Sequence, residues 1–443
     1  MQKVETILHA RWVIPVEPAH TVLENHALVI DEGKIVAILP SSQANEQYSA
    51  KHLQKLDDHI LIPGLINTHT HASMSLMRGI ADDLPLMEWL QNHIWPAEAK
   101  WVSEEFVFEG TQLAIAESIK SGVTCFNEMY FFPDAAARAA EQAGFRATVG
   151  LIVIDFPTVW AANADEYLSK ALDVHDKYRH SEFIRTAFAP HAPYTVSDEP
   201  LKRIATLAEE LDMPIHIHVH ETAFEVMESE KNLGKRPLER LAELNLCSPR
   251  LLAVHMTQLT EDEIARCAAD GVHVIHCPES NMKLASGICP VPALLKAGVN
   301  VALGTDGSSS NNDLDMIGEM RSAALLAKVG SMDASALSAE QALQLATING
   351  ARALGIDDIT GSLKVGKAAD VVAVDLSDIG TQPVYHPISQ LVYSATRHNV
   401  SDVWINGHQV LKDRTLLHMD EDAIRRRAQS WAEKIYSTDI HDD

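Results

Sequence analysis

Along the middle of the chain, apolar residues fall into short, nearly continuous runs separated by longer amphipathic stretches. Runs of this kind read as strands buried on both faces, and the stretches between them as helices. Eight strand candidates occupy 61–68, 122–127, 146–154, 184–189, 214–219, 251–254, 273–276 and 300–304. Helical segments at 105–121, 133–143, 199–211 and 260–269 separate most of them. The capped start Ser338-Ala339-Glu340-Gln341 leads into a further helix over 342–354. Eight alternating βα units predict an α/β fold with a parallel (β/α)8 barrel of the TIM type over 61–360. The two ends of the chain have a different pattern. Apolar runs at 27–30 and 35–39 flank the turn Asp31-Glu32-Gly33-Lys34, and Val403-Trp404-Ile405 and Gln409-Val410-Leu411 flank Asn406-Gly407, a favoured two-residue hairpin turn. These β-rich ends predict a small β-sandwich domain assembled from both termini, 1–60 together with 361–415. Ile424, Ala428, Trp431 and Ile435 then repeat at helical spacing, so 416–443 is expected to hold a docked C-terminal helix and a tail.

Composition narrows the setting. With 443 residues, 46% of them hydrophobic, the chain can bury a large core. Its formal net charge of −25 argues against a nucleic-acid partner, which requires a basic stripe. The one dense basic patch, Arg425-Arg426-Arg427, lies on the C-terminal helix among acids and reads as a solvated face. The five cysteines are scattered, without a Cys-x-x-Cys, as expected of buried thiols in a reducing compartment. The N-terminus does not read as a signal peptide, and no apolar run reaches the length of about 18 residues that a membrane span needs. A soluble cytoplasmic protein with no membrane partner is the expectation.

The candidate chemistry sits where the strands end. His69-Thr70-His71 follows the apolar run 60–66, and residues two apart in a strand point the same way, so both imidazoles can reach one ion. Pro214-Ile215-His216-Ile217-His218-Val219-His220-Glu221 and Val301-Ala302-Leu303-Gly304-Thr305-Asp306 are also strand-like runs that finish in metal-binding residue types. Three histidines and a carboxylate on one divalent ion, with a position left for water, describe a hydrolytic site. His255 ends the sixth strand, where it is a candidate base or hydrogen-bond donor near that site. Each of these residues also has a plainer explanation, as a hydrogen-bonded core histidine or, for Asp306, as a cap before Ser308-Ser309-Ser310.

Several motifs carry a family resemblance. Pro63-Gly64-Leu65-Ile66-Asn67-Thr68-His69-Thr70-His71, His216-Ile217-His218 with Glu221, Gly304-Thr305-Asp306, and Gly361-Ser362-Leu363-Lys364-Val365-Gly366-Lys367-Ala368-Ala369-Asp370 resemble the amidohydrolase superfamily. Within it, Leu86-Met87-Glu88-Trp89-Leu90, His93-Ile94-Trp95-Pro96 with Glu98, and His191-Ala192-Pro193-Tyr194 resemble the 5'-methylthioadenosine/S-adenosylhomocysteine deaminases. The resemblance implies that His69, His71, His218 and Asp306 hold the metal. It selects His218 from its neighbours, leaving His216 as a buried support and His220 at the rim. Glu221 would protonate a ring nitrogen of the substrate, with Asp306 moving protons beside it. Glu98 would accept hydrogen bonds from both ribose hydroxyls, His191 would contact the ribose or ring, and Trp89 would form an apolar wall. Core packing is the rival explanation for Trp89.

Some relatives bridge two metals with a carbamylated lysine on the fourth strand. That strand, 183–191, contains no lysine here, so one ion is expected: Zn2+, with Fe2+ as the alternative. Relatives that use S-adenosylhomocysteine place an arginine after the third strand, whereas 147–169 contains neither lysine nor arginine. Burying an unpaired carboxylate is costly. The expected substrate is therefore an adenine nucleoside with a neutral 5' end, 5'-methylthioadenosine or adenosine, unless an arginine from elsewhere, such as Arg78, or from a partner subunit intervenes. The competing expectations are a deaminase or dechlorinase of a free base or triazine on the same scaffold, and a metal-free relative that assembles without turnover. The pattern of nucleic-acid zinc deaminases, His-x-Glu with Pro-Cys-x-x-Cys, is missing. Homodimers are common among the proteins it resembles.

Overall fold

The computed structural model describes residues 1–439, so the end of the predicted tail, 440–443, lies outside the described residues. The chain opens with β1 (Gln2–Val13), β2 (Leu23–Asp31), β3 (Lys34–Pro40) and β4 (Tyr48–Pro63). Then come β5 (Leu65–Thr70), β6 (Val123–Tyr130), β7 (Arg146–Val153), β8 (Ile184–Pro190), β9 (Ile215–Val219), β10 (Leu251–His255), β11 (His273–His276) and β12 (Val301–Leu303). The last four are β13 (Val371–Asp375), β14 (Val400–Ile405), β15 (His408–Lys412) and β16 (Thr415–Leu416).

Strands β5 to β12 pair in chain order, all parallel, as one eight-stranded sheet with helices between successive strands. Every residue of β5, β6 and β7 is buried, which is why those segments read as continuous apolar runs rather than alternating ones. The sheet curls until its two edges meet. There the Asp306 N–H donates to the His69 carbonyl at 3.0 Å, and the Thr68 hydroxyl donates to the Leu303 carbonyl at 2.6 Å. Gly304 lies at this seam. A Cβ there would sit 2.7 Å from the His69 nitrogen, so any side chain would force the edges apart.

Both termini build the second sheet, in the order β16-β15-β14-β13-β4-β1-β2-β3. Both predicted hairpin turns form: Glu32 and Gly33 have φ of 49° and 75°, and Asn406 and Gly407 have 51° and 76°, the left-handed pair such turns require. The sheet folds over itself until the two hairpin tips touch, with Ala369 N–H donating to the Gly33 carbonyl and Gly407 N–H to the Ala369 carbonyl. Leu8, Leu28, Ile35, Leu61, Val371 and Trp404 fill the space enclosed. Strand β4 ends one residue before β5 begins, so the two sheets are covalently continuous through Gly64. They are also joined by an ion pair: Arg146 on β7 meets Asp370 at 2.8 Å with both side chains buried, and Asp370 accepts the Asn406 N–H as well.

The C-terminal helix Glu421–Asp439 docks as its periodicity predicts. Ile424, Trp431 and Ile435 are buried, and the Trp431 indole donates to Glu109 at 2.6 Å while its ring meets Phe106 edge-on. Arg425 pairs with Asp422 on the same helix, and Arg427 donates to Gln112 on the helix Glu104–Lys120 beneath it. One helix departs from expectation. The capping box at Ser338 forms, but 342–354 is two helices, Ala339–Leu345 and Ile348–Ala353, broken at Thr347. The second helix crosses β5 with Gly350 against Ile66 and Thr68, where a Cβ would come within 3.1 Å, and the break sets that crossing. Among the described residues no helix is long and apolar enough to cross a membrane.

Removing one partner of a buried ion pair strands the other charge. D370A should therefore cost about 3 kcal/mol in urea unfolding, with the loss largely absent when Arg146 is replaced by Met in the same chain.

Candidate active site

The predicted metal-type residues converge at the C-terminal ends of the barrel strands. His69 and His71 come from β5, His218 from β9, and Asp306 from the turn after β12. His69 Nε2 and His71 Nε2 each lie 3.3 Å from Asp306 Oδ1, and His218 Nε2 lies 3.2 Å from His69 Nε2. Separations of this size are those of ligands about 2 Å from one ion, the bond length zinc and similar ions make to imidazole and carboxylate. His69 is shared by two groups that could hold an ion, His69-His71-Asp306 and His69-His218-His255. The far side of each ring is tethered so that Nε2 faces inward. His69 Nδ1 meets His216 Nε2 at 2.8 Å, His71 Nδ1 meets the Met129 carbonyl at 2.6 Å, and His218 Nδ1 meets the His191 carbonyl at 2.6 Å. Burial pushes His69 down to about 4 and His218 well below the ordinary histidine value, so both rings are neutral and offer lone pairs. Burial acts to raise Asp306, but its contacts with His69 and His71 outweigh that and hold the carboxyl ionised. The donor set fits one divalent cation.

Glu221 and His255 flank this cluster. His255 Nε2 lies 3.8 Å from Glu221 Oε2, and the His255 ring stacks on His218. Burial, then the charge on Asp306, pushes Glu221 up to about 8, so it carries a proton at neutral pH. His255 Nδ1 lies 2.8 Å from Asn281 Oδ1, which makes Nδ1 the protonated nitrogen and leaves the Nε2 lone pair towards Glu221. The backbone is strained here. His220, His255 and Asp306 have φ of 54°, 75° and 62°, left-handed values that non-glycine residues adopt only when their surroundings impose them.

Above the cluster opens a cavity of about 510 Å3. Glu98, Trp89 and His191 all border it, together with His71, His218, Glu221, His255 and Asp306. Trp89 and Glu98 reach it from one helical stretch, Leu86–Trp101, whose middle turn, Leu90–Ile94, is π-helical. Pro96 lies two residues beyond it and cannot donate to the carbonyl four residues back, so the helix widens there by one residue. The widening keeps Trp89, Leu90, Ile94, Trp95 and Glu98 on the cavity side. Trp89 is buried, and its indole N–H has no partner. Burial pushes the Glu98 carboxyl up to about 7, and the Tyr130 hydroxyl beside it draws it back in part. His191 Nδ1 is 3.1 Å from the Thr195 hydroxyl, and burial lowers this ring to about 3. Among the described residues, no lysine or arginine lines the cavity. Arg78 is engaged by Glu117 and the Asn312 carbonyl, away from it.

His220 corrects an expectation. It does not line the rim but is fully buried, with Nε2 accepting the Leu238 N–H at 3.0 Å at the start of the helix Pro237–Glu243. The cause is the left-handed turn at His220 itself, which takes its side chain off the strand face it shares with His218 in an ideal strand. His216 is the expected buried support.

Three supporting residues escaped the sequence reading. Both Glu225 carboxylate oxygens accept backbone N–H groups, from His220 at 3.1 Å and Glu221 at 2.8 Å. Thr222-x-x-Glu225 is the spacing of a capping box and could have flagged it. Ser280 donates to Asp306 Oδ2 at 2.6 Å, and its neighbour Asn281 orients His255, so a single turn at the start of Pro278–Lys283 holds both. Nothing in the local pattern marks those two.

Residues 60–410 match the sequence model of the amidohydrolase family. The chain belongs to the amidohydrolase family. It is 51% identical over 431 residues, 97% of each chain, to the 5-methylthioadenosine/S-adenosylhomocysteine deaminase of Saccharophagus degradans. The protein of that name from Thermodesulfovibrio yellowstonii is 43% identical, over 97% of this chain and 98% of its own. The crystal structure of an adenosine deaminase from Xanthomonas campestris with bound zinc matches at 53% identity with a TM-score of 0.97, covering 98% of this chain and 99% of that one. Atrazine chlorohydrolase from Arthrobacter aurescens, at 24% identity and a TM-score of 0.89 over 96% of this chain and 99% of its own, shares the amidohydrolase fold.

Loading this amidohydrolase with a divalent metal and removing the excess should leave about one ion per chain by elemental analysis, given one set of four ligands. H71N and D306N should each lose most of that ion, whereas H220N should keep it.

Proposed function

We propose that the chain is a zinc-dependent hydrolytic deaminase that converts the 6-amino group of an adenine nucleoside to the inosine analogue and releases ammonia. The observation that carries this reading is the convergence of His69, His71, His218 and Asp306 beneath a cavity that also holds a protonated Glu221 and, further out, Glu98. The names of the relatives agree with it, and the Xanthomonas campestris structure contains zinc. Mixed imidazole and carboxylate donors suit zinc, with iron as the alternative.

Bound zinc supplies Lewis-acid activation of water. The protein's own groups do the rest. An adenine ring resists attack at C6 until N1 is protonated, and Glu221 holds a proton in reach of the ligand cluster. Donating it to N1 lets the water oxygen bond to C6 without building negative charge on the ring. Asp306, ionised and fixed by Ser280, takes a proton from the water and delivers it to the 6-amino nitrogen. The C6–N bond then breaks and ammonia leaves; the hydroxyl on C6 gives up its proton, which restores Glu221, while N1 keeps the proton it received and C6=O forms. His255, fixed in one tautomer by Asn281, accepts a hydrogen bond from the attacking water. Glu98 accepts hydrogen bonds from the ribose hydroxyls, His191 contacts the nucleoside, and Trp89 walls it in.

The cavity supports neutral 5' ends over amino-acid ones. Among the described residues, a carboxylate brought in by S-adenosylhomocysteine would meet no lysine or arginine on the lining. We expect kcat/KM for 5'-methylthioadenosine to exceed that for S-adenosylhomocysteine by about tenfold or more, the cost of a partly desolvated, unpaired charge. Equal values in an ammonia-release assay would sink that preference.

Glu98 separates nucleosides from free bases and triazines, which offer no diol. E98A should raise KM for adenosine by about tenfold or more, the loss of two hydrogen bonds to a buried carboxyl. An unchanged KM, with guanine, cytosine or a triazine turned over faster than adenosine, would favour the free-base reading.

A further inference from the structure

Most of the cavity wall is hydrocarbon, so a polar atom that faces it without a partner calls for one. The Tyr130 hydroxyl is such an atom. Tyr130 is 4% exposed and borders the cavity, and its hydroxyl makes no hydrogen bond of regular geometry, only a loose one towards Glu98. A buried donor left unmade carries the full desolvation cost of the group, and the cavity is where that cost can be recovered. Tyr130 closes strand β6, directly after Met129, whose carbonyl tethers His71. The barrel therefore fixes its position as firmly as that of the metal-type residues. It also faces Glu98: after burial, the Glu98 carboxyl is the strongest influence raising the Tyr130 hydroxyl's pKa.

An ionised carboxylate can only accept hydrogen bonds, while a phenol can donate one. A sugar hydroxyl that gives its hydrogen to Glu98 still has lone pairs, and a donor beside Glu98 complements them. We propose that Tyr130 is a specificity-determining residue, donating its hydroxyl hydrogen to a ribose oxygen whose own hydrogen goes to Glu98. This rests on the reading of the cavity as a nucleoside site and deepens it. The class of ligand selected is the riboside, in preference to 2'- or 3'-deoxyribosides and to bare rings.

The test pairs Y130F with the removal of single sugar hydroxyls. Adenosine, 2'-deoxyadenosine and 3'-deoxyadenosine are compared on metal-loaded wild type and Y130F, and inosine with its two deoxy analogues by calorimetry on the same proteins. Y130F should raise KM for adenosine about fivefold with kcat changed less than about twofold, the effect of one neutral hydrogen bond. For one of the two deoxy sugars, the wild-type penalty should shrink in Y130F by the same factor, in KM and in the binding constants. An undiminished penalty for both deoxy sugars, or a loss that falls on kcat with KM unchanged, overturns the proposal. If wild type releases no ammonia from any adenine nucleoside, yet inosine binding still depends on Tyr130 in this way, the deaminase reading falls while the role of Tyr130 stands.

Discussion

The closing seam of the barrel is the constraint on which the rest of the molecule depends. The eighth strand is three residues long, and its hold on the first is completed by the chain just beyond it. The Asp306 amide donates to the carbonyl of His69, and the Thr305 amide to the side-chain oxygen of Asn67. The same bond that shuts the sheet thus joins two candidate ligands through their backbones. Gly304 permits the approach, because the space its side chain would need is taken by His69 itself. Fold and site are the same piece of geometry here, and a shift at one edge of the sheet is a shift of the ligand cage.

That coupling explains where strain is stored. His220, His255 and Asp306 leave their strands in left-handed turns, and each is pinned from both sides. Glu225 takes two backbone amides at His220 and Glu221, while the Thr257 hydroxyl donates to the Glu221 carbonyl at 2.7 Å. Ser280 and Asn281 do the same for the side chains of Asp306 and His255. A buried carboxylate facing backbone N–H groups is one of the few devices strong enough to hold a non-glycine residue in such a turn without water.

Strand content was plainly legible because burial on both faces leaves an unbroken apolar run, and β11 begins and ends where its pattern does. Both hairpins were legible for a different reason: glycine after Glu32 and after Asn406 meets a backbone requirement that few other residues can. The ligand residues could be read from strand alternation and family likeness together. His220 could not, since alternation assumes a straight strand and the turn at that residue breaks it. Nor could the break at Thr347, which arises from the crossing of Gly350 over β5, a contact between distant parts of the chain. Ser280, Asn281 and Tyr130 were hidden for the same reason. Each matters through what it faces across the barrel, and a linear pattern records only neighbours along the chain.

The widened turn at Leu90–Ile94 has a consequence for how this pocket can change over time. Each residue added to or removed from an α-helix rotates everything after it by about 100°. The extra residue acts as a phase setting, aligning Trp89 before it with the Glu98 carboxyl after it. A single codon lost from that turn would swing Glu98 away from the cavity while leaving the ligand cluster at its floor untouched. Substrate range and chemistry can therefore drift independently in this architecture, one governed by helical phase and the other by the barrel.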